Sequence, residues 1–209
     1  VKLFKLCWPL FIALFFFNVI ENMPKLVMEG MLPYDNQLYY NAIYFPAQMI
    51  LICAQLVYKP LLLRMAGVWQ DSAKRRKFNL ILAGIIAIIA VITLIACLVM
   101  AWIGIPVMNV LYGIDFAQYK GLIYLMMITG GITAAIDFLF QVITIMRRQK
   151  DVTVLFVMTF IFSIFIPLLL VNYAQLEGAV LSYVIVEAIL FVLLAWEYFR
   201  IRRDLHGKT

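Results

Sequence analysis

Four polar side chains interrupt the apolar stretch FFFNVIENMPKLVMEG at residues 15–30: Asn18, Glu21, Lys25 and Glu29. On a helix turning about 100° per residue they share an arc of about 80°. A second set, Asn41, Tyr44, Gln48, Gln55 and Lys59, falls within about 60° by the same geometry. A third, Asp137, Gln141, Thr144 and Arg148, also falls within about 60°. Glu187 stands apart, with Tyr183 one turn before it. Amides and hydroxyls both donate and accept hydrogen bonds, carboxylates hold a proton or a cation, and Lys and Arg bind phosphate oxygens. Columns of such groups suit the binding of a polar solute.

Bond-breaking machinery is not visible. The single histidine, His206, lies in the charged C-terminal tail and reads as a solvated bystander. There is no Gly-rich phosphate loop, no Ser/His/Asp arrangement and no metal-ligand spacing. Glu21, Asp137 and Glu187 are too scattered to argue for a metal-dependent transferase. Cys7, Cys53 and Cys97 all sit in apolar runs and read as small buried hydrophobes. The expectation is a protein that is not an enzyme, with no cofactor and no metal.

The elements that carry these columns follow from composition. Hydrophobic residues make up 66% of the 209 and charged residues 13%, with a mean hydropathy of +1.01. That is too little polarity to cover a soluble domain, so the chain reads as an all-α polytopic membrane protein. A bilayer core takes about 20 apolar residues as helix. Six segments qualify: 3–23, 38–63, 78–103, 120–146, 152–171 and 178–199. The loops alternate in charge. RMAGVWQDSAKRRKF, MRRQKD and FRIRRDLHGKT are rich in Lys and Arg, whereas EGMLPYDNQ, YGIDFAQYK and NYAQLEG carry one lysine, Lys120, between them. With Lys2 and Lys5 at the start, this pattern predicts both termini on the cytoplasmic side. It also explains the net charge of +6 without nucleic acid. The same basic loops attract anionic lipid headgroups.

A charged side chain at mid-bilayer costs about 2.5–3.5 kcal/mol on insertion scales. The polar columns should therefore face protein or a wet cavity. Two readings stay open: amides acting as glue between helices, or a solvated path. Lys59 and Arg148 fall at the cytoplasmic mouth, where ordinary anchoring explains them equally well. Pro9, Pro24, Pro46, Pro60 and Pro167 lie in or at the ends of the segments, as in the broken helices of many transporters.

The motifs ENMPKLVMEGMLP, YKPLLLRMAG, GIPVMNVLYGIDFAQYKG and MRRQKD, in that order, resemble the C-terminal half of bacterial polysaccharide flippases. These are the oligosaccharide-lipid exporters of the multidrug/oligosaccharidyl-lipid/polysaccharide superfamily. NMPK, Asn22 to Lys25, is similar to the motif closing that family's seventh helix, and LYG followed by an aromatic and YK to the outer loop before its tenth. The resemblance runs over essentially the whole chain. It implies that residues 1–209 form one six-helix lobe of two that face a central cavity, with the N-terminal lobe missing and expected as a partner. It also implies a bacterial cytoplasmic (inner) membrane location. The activity would be movement of an undecaprenyl-diphosphate-linked oligosaccharide for polysaccharide or lipopolysaccharide biosynthesis. Periodicity then nominates Asn18, Glu21, Lys25, Asn41, Gln48, Gln55, Asp137 and Gln141 as the lining; Asp137, Glu21 or Glu187 would carry a coupling proton or sodium, and no spacing singles one of them out. A drug or cation exporter of the same superfamily and a non-transporting scaffold of polysaccharide synthesis are the alternatives.

Overall fold

A computed structural model of the chain describes residues 2–70 and 75–206. Lys74 and Lys208 of the basic stretches lie outside the described residues, as do the side chains of Lys2, Lys5, Cys7, Arg75 and His206. The described chain is helical throughout, with no strand: α1 (Lys2–Met31), α2 (Tyr34–Gln70), α3 (Arg75–Val99), a π-turn (Met100–Gly104), α4 (Ile105–Tyr112), a 3-10 turn (Phe116–Tyr119), α5 (Lys120–Ile145) and α6 (Gln149–His206). Five helical stretches are long and apolar enough to cross a membrane: Trp8–Met31, Tyr34–Trp69, Arg76–Tyr112, Phe116–Ile145 and Gln149–Arg203. Their surfaces carry large exposed apolar side chains such as Leu63, Trp102 and Val110, which water would not tolerate in such density. The fold is thus compatible with a multi-pass membrane protein.

The helices run further than sequence alone suggests. α1 continues through Pro24 to Met31, and Leu32 N–H closes its last turn on the Met28 carbonyl at 2.8 Å. Pro33 then separates it from α2. At the start of α4, Pro106 has no N–H to give to the Trp102 carbonyl, and the ladder slips into the π-turn just before it. The Met100 side chain folds over Gly104, where a Cβ would push its sulfur aside. α4 stops at Gly113, whose φ of 65° only glycine adopts freely. The next turn is tied by side chains. Asn109 Oδ1 accepts from Phe116 N–H, and Asp115 Oδ1 from Ala117 N–H, both at 2.9 Å.

Between α5 and α6, Arg148 N–H bonds the Ile143 carbonyl and Arg147 N–H the Thr144 carbonyl, with Arg147 at φ 61°. This is a Schellman cap with arginine where glycine is favoured. The left-handed backbone costs a residue with a Cβ about 1–2 kcal/mol.

The longest helix is interrupted. Within α6, Ala174 (φ −128°, ψ 15°) and Gln175 (φ 46°, ψ −120°) are non-helical. In an unbroken helix, residues eight apart would stand about 12 Å from each other. Instead, a Cβ at Gly178 would run into the Leu170 carbonyl. The chain folds back at this point into two arms, 149–173 and 176–206.

The chain separates into two compact units, one of Val1–Leu32 with Ile136–Thr209 and one of Pro33–Ala135. In the first, α1 runs parallel to the first arm of α6. Thr153 Oγ1 donates to the Pro9 carbonyl at 3.0 Å, and Phe16 meets Phe160 with centroids 5.0 Å apart. Phe156 contacts Phe17 and Phe140. In the second unit, close approach depends on glycine. A Cβ on Gly130 would collide with the Ala47 backbone of α2, and one on Gly131 with the Thr93 hydroxyl of α3. Small residues permit such contact between apolar helices, where no hydrophobic driving force remains in lipid. Trp69 against Phe78 at 5.0 Å joins α2 to α3.

The reversal in α6 generates a prediction. Gln175→Gly should relieve the strained backbone and raise the thermal unfolding midpoint in detergent, by the equivalent of about 1 kcal/mol. Gly178→Ala should lower it by about 1–3 kcal/mol through overpacking against Leu170. A destabilised Gln175→Gly would show that the turn is not strained as described.

Candidate functional site

Each polar column begins with hydrogen bonds along its own helix. In α1 the Asn22 side chain donates to the Asn18 carbonyl at 2.8 Å and to Asn18 Oδ1 at 3.5 Å. Glu21 and Lys25 stand one turn apart and attract each other. In α2, Gln48 donates to the Tyr44 hydroxyl at 2.9 Å, and Lys59 Nζ to Gln55 Oε1 at 2.8 Å. Tyr40 stacks on Tyr44 with centroids 6.0 Å apart. In α5, Gln141 donates to Asp137 Oδ1 at 3.3 Å. Arg148, just past α5, reaches Asp151 at 3.6 Å. The i,i+4 spacing that makes a stripe in sequence is also the reach of one helical turn.

Where each column lies on its helix matters more. α2 buries Ile43, Ala47, Ile50 and Ala54 on one face and exposes Phe45, Met49, Ile52 and Leu56 on the opposite one. Gln48 and Gln55, half-buried, occupy the flank between these faces, with Asn41 and Lys59 exposed beside them. α1 repeats the arrangement. Ile20, Glu21, Pro24 and Met28 are buried, Phe11 and Phe15 are exposed, and Asn18, Lys25 and Glu29 lie on the side between, from half-buried to exposed. α5 differs. Seventy-two per cent of its apolar span is buried, against 33% or less for the other four, and it takes Asp137 inside with it.

Asn18, Glu21, Lys25, Asp137, Gln141, Arg148 and Glu187 fall in the first unit, whereas Asn41, Gln48, Gln55 and Lys59 fall in the second. Three carboxylates of the first unit are strongly buried: Glu21 and Asp137 are 9% exposed, and Glu187 is fully enclosed. A fourth, Glu197, escapes the sequence reading and is also buried, holding Arg200 at 3.2 Å. Its signal lies in periodicity. It shares the buried face of Tyr183, Glu187, Leu190, Leu194 and Ile201. Tyr40 and Tyr58 are likewise buried beside the α2 column and are visible at the same spacing. Among the described residues, no group of three His, Cys, Asp or Glu is placed to hold a metal ion.

The arrangement offers tyrosine hydroxyls, amides and a terminal lysine in order along one helix of 37 residues, about 55 Å long. Such a row can exchange hydrogen bonds with a hydroxyl-rich solute, while buried carboxylates can hold a proton or a cation. No family model, no curated protein and no solved structure matches the chain.

Solvent access separates path from glue. With Cys7, Cys53 and Cys97 replaced by Ser, Asn41→Cys, Gln48→Cys and Gln141→Cys should react with a membrane-impermeant thiol reagent. Ile88→Cys and Ile161→Cys should stay protected. Ile88 and Ile161 are 41% and 51% exposed, so their protection can only come from lipid. Equal protection at all five positions would reduce the columns to packing glue.

Proposed function

We propose that the chain is a six-span lobe of a bacterial inner-membrane transporter that flips lipid-linked oligosaccharide for polysaccharide biosynthesis. The observation that carries this reading is the row Tyr44, Gln48, Gln55 and Lys59 on the flank of α2, hydrogen-bonded in pairs and graded from a buried tyrosine through half-buried amides to an exposed lysine. Amides and tyrosines match sugar hydroxyls, and a lysine at one end matches a diphosphate. The motif order that resembles the polysaccharide flippases supports the same substrate class. A smaller drug needs fewer hydrogen-bonding groups in sequence, which disfavours a drug or cation exporter.

The six crossings and the cytoplasmic termini belong to this proposal. The reversal at Ala174–Gln175 divides the fifth long stretch into two arms, each long enough for a crossing of about 20 residues. Alternation of basic and cation-poor loops then orients all six. Transport by alternating access needs two bodies around a shared site. The polar flank of α2 suits contact with a second such lobe. Asp137, Glu21 or Glu187 would hold the coupling proton or sodium.

Topology is checked by reporter fusions. Fusions after Arg76, Arg148 and Arg203 should read cytoplasmic, and fusions near Asp35, Asp115 and Gln175 external. A cytoplasmic reading at Gln175 would remove the sixth crossing.

Function is checked in inverted membrane vesicles from the host, where any partner is present. Loss of the chain should abolish translocation of lipid-linked oligosaccharide and leave export of a cationic dye unchanged. Gln48→Leu should slow glycan movement by roughly 3–10-fold, as for one lost hydrogen-bonding group of about 1 kcal/mol. Loss of dye export alone would favour the exporter. No change in either would leave the scaffold.

A further inference from the structure

The corner between α5 and α6 holds three exposed cations in four residues, Arg147, Arg148 and Lys150. Arg148 spends part of its charge on Asp151 at 3.6 Å. Among the described residues, neither Arg147 nor Lys150 forms an ion pair. The corner is also where α1 begins to pack, through Thr153 Oγ1 on the Pro9 carbonyl. Trp8, half exposed and stacked on Phe11 at 6.0 Å, therefore stands at this end of the unit. Cations at the same end of the unit as an exposed indole, where an apolar helix ends, fit the boundary between lipid tails and headgroups.

Arg147 adds an independent sign. Its backbone is left-handed at φ 61°, in a capping position that glycine fills without strain. The cap itself uses only backbone groups, Arg147 N–H to Thr144 O and Arg148 N–H to Ile143 O, so the side chain contributes nothing to it. Strain held at a position whose side chain does no structural work is a feature of functional sites.

We propose that this corner is a binding site for the phosphate of an acidic glycerophospholipid. Arg147, Arg148 and Lys150 take the phosphate oxygens, and Trp8 lies against the upper acyl chain. The site does not depend on the transport reading and would serve a membrane protein of any activity. A guanidinium offers two N–H groups to one phosphate, and the clustered lysine adds a further charge. The source of the phosphate is the lipid rather than a soluble anion, because the cations flank an apolar surface that a free ion would not use.

The test is native mass spectrometry of the full chain released from nanodiscs containing phosphatidylglycerol and phosphatidylcholine. The wild type should retain phosphatidylglycerol in preference. Arg147→Gly should lower that preference by about fivefold, the usual weight of one cation near an acidic surface, while its unfolding midpoint in lipid-free detergent rises. Arg147→Lys should retain most of the preference. Arg64→Gln with Lys77→Gln, cations elsewhere in the chain, should leave it unchanged. The proposal is overturned if Arg147→Gly keeps the wild-type preference or loses stability. It is also overturned if the Arg64/Lys77 variant loses as much, which would mean diffuse charge attraction. Displacement of the lipid by millimolar glycerophosphate would overturn it too, by showing a site for a free anion.

Discussion

Hydrocarbon offers no hydrogen bonds, and the long apolar helices of this structure are compatible with that lack. Every backbone group must be satisfied within its own helix, and polar side chains must find partners within reach. Hydroxyls turn back onto the preceding turn: Thr129 on Leu125, Thr133 on Thr129, Thr159 on Leu155, Ser163 on Phe160 and Ser182 on Ala179. The longer side chains do the same one turn away, as Gln48 does with Tyr44 and Gln141 with Asp137. The polar columns are therefore partly a consequence of self-satisfaction, since i,i+3 and i,i+4 are the spacings at which such pairs close along a helix. What self-satisfaction does not require is that successive pairs share one side. On α2, Tyr44–Gln48 and Gln55–Lys59 do so across 16 residues.

The same constraint decides where the helices give way. Pro106 withdraws one donor, and the ladder absorbs the loss by a π-turn instead of ending. At residues 174–175 the ladder does break, next to the exposed and polar Asn172, Gln175 and Glu177, which keep an open backbone wet. Where two helices approach closely, glycine carries the contact: Gly130 on Ala47 and Gly178 on Leu170. With little hydrophobic gain available between helices in lipid, removing a side chain is how packing area is won.

Much of this was legible in sequence. Length and hydropathy are enough to read long apolar helices, because the bilayer sets one length scale for all of them. The stripes are legible for the same reason, a fixed angular step per residue. Helix ends were read too short. Pro24 and the charged flanks of α2 look like terminators, yet a proline in an apolar helix removes one bond without ending the element. Glu197 lies within segment 178–199, yet Arg200 and the tail make it look like part of a solvated end, whereas burial follows the face of Glu187 and Leu194. The left-handed Arg147 carries no sequence signal at all, since glycine or asparagine is what marks such a cap. Division into two compact units depends on long-range contacts, which local periodicity does not encode.

Position on the flank bears on how a polar row could work. A row at the centre of a packed face is permanently dry, as Glu187 is. A row at the centre of the lipid face would cost several kcal/mol for each charged group. The flank avoids both, because Gln48 and Gln55 keep their own helix as first partner and border lipid only at one edge. It is also where exposure changes most for a given motion. Rotating α2 by a few tens of degrees would carry the amides fully under the packed face or fully out of it, with no hydrogen bond along the helix broken. Pro46 lies within this row and Pro60 just past its end, and each leaves the local ladder one bond softer. In the transport proposed above, an internally bonded row on a pliable helix flank would supply binding groups whose exposure is set by rotation alone.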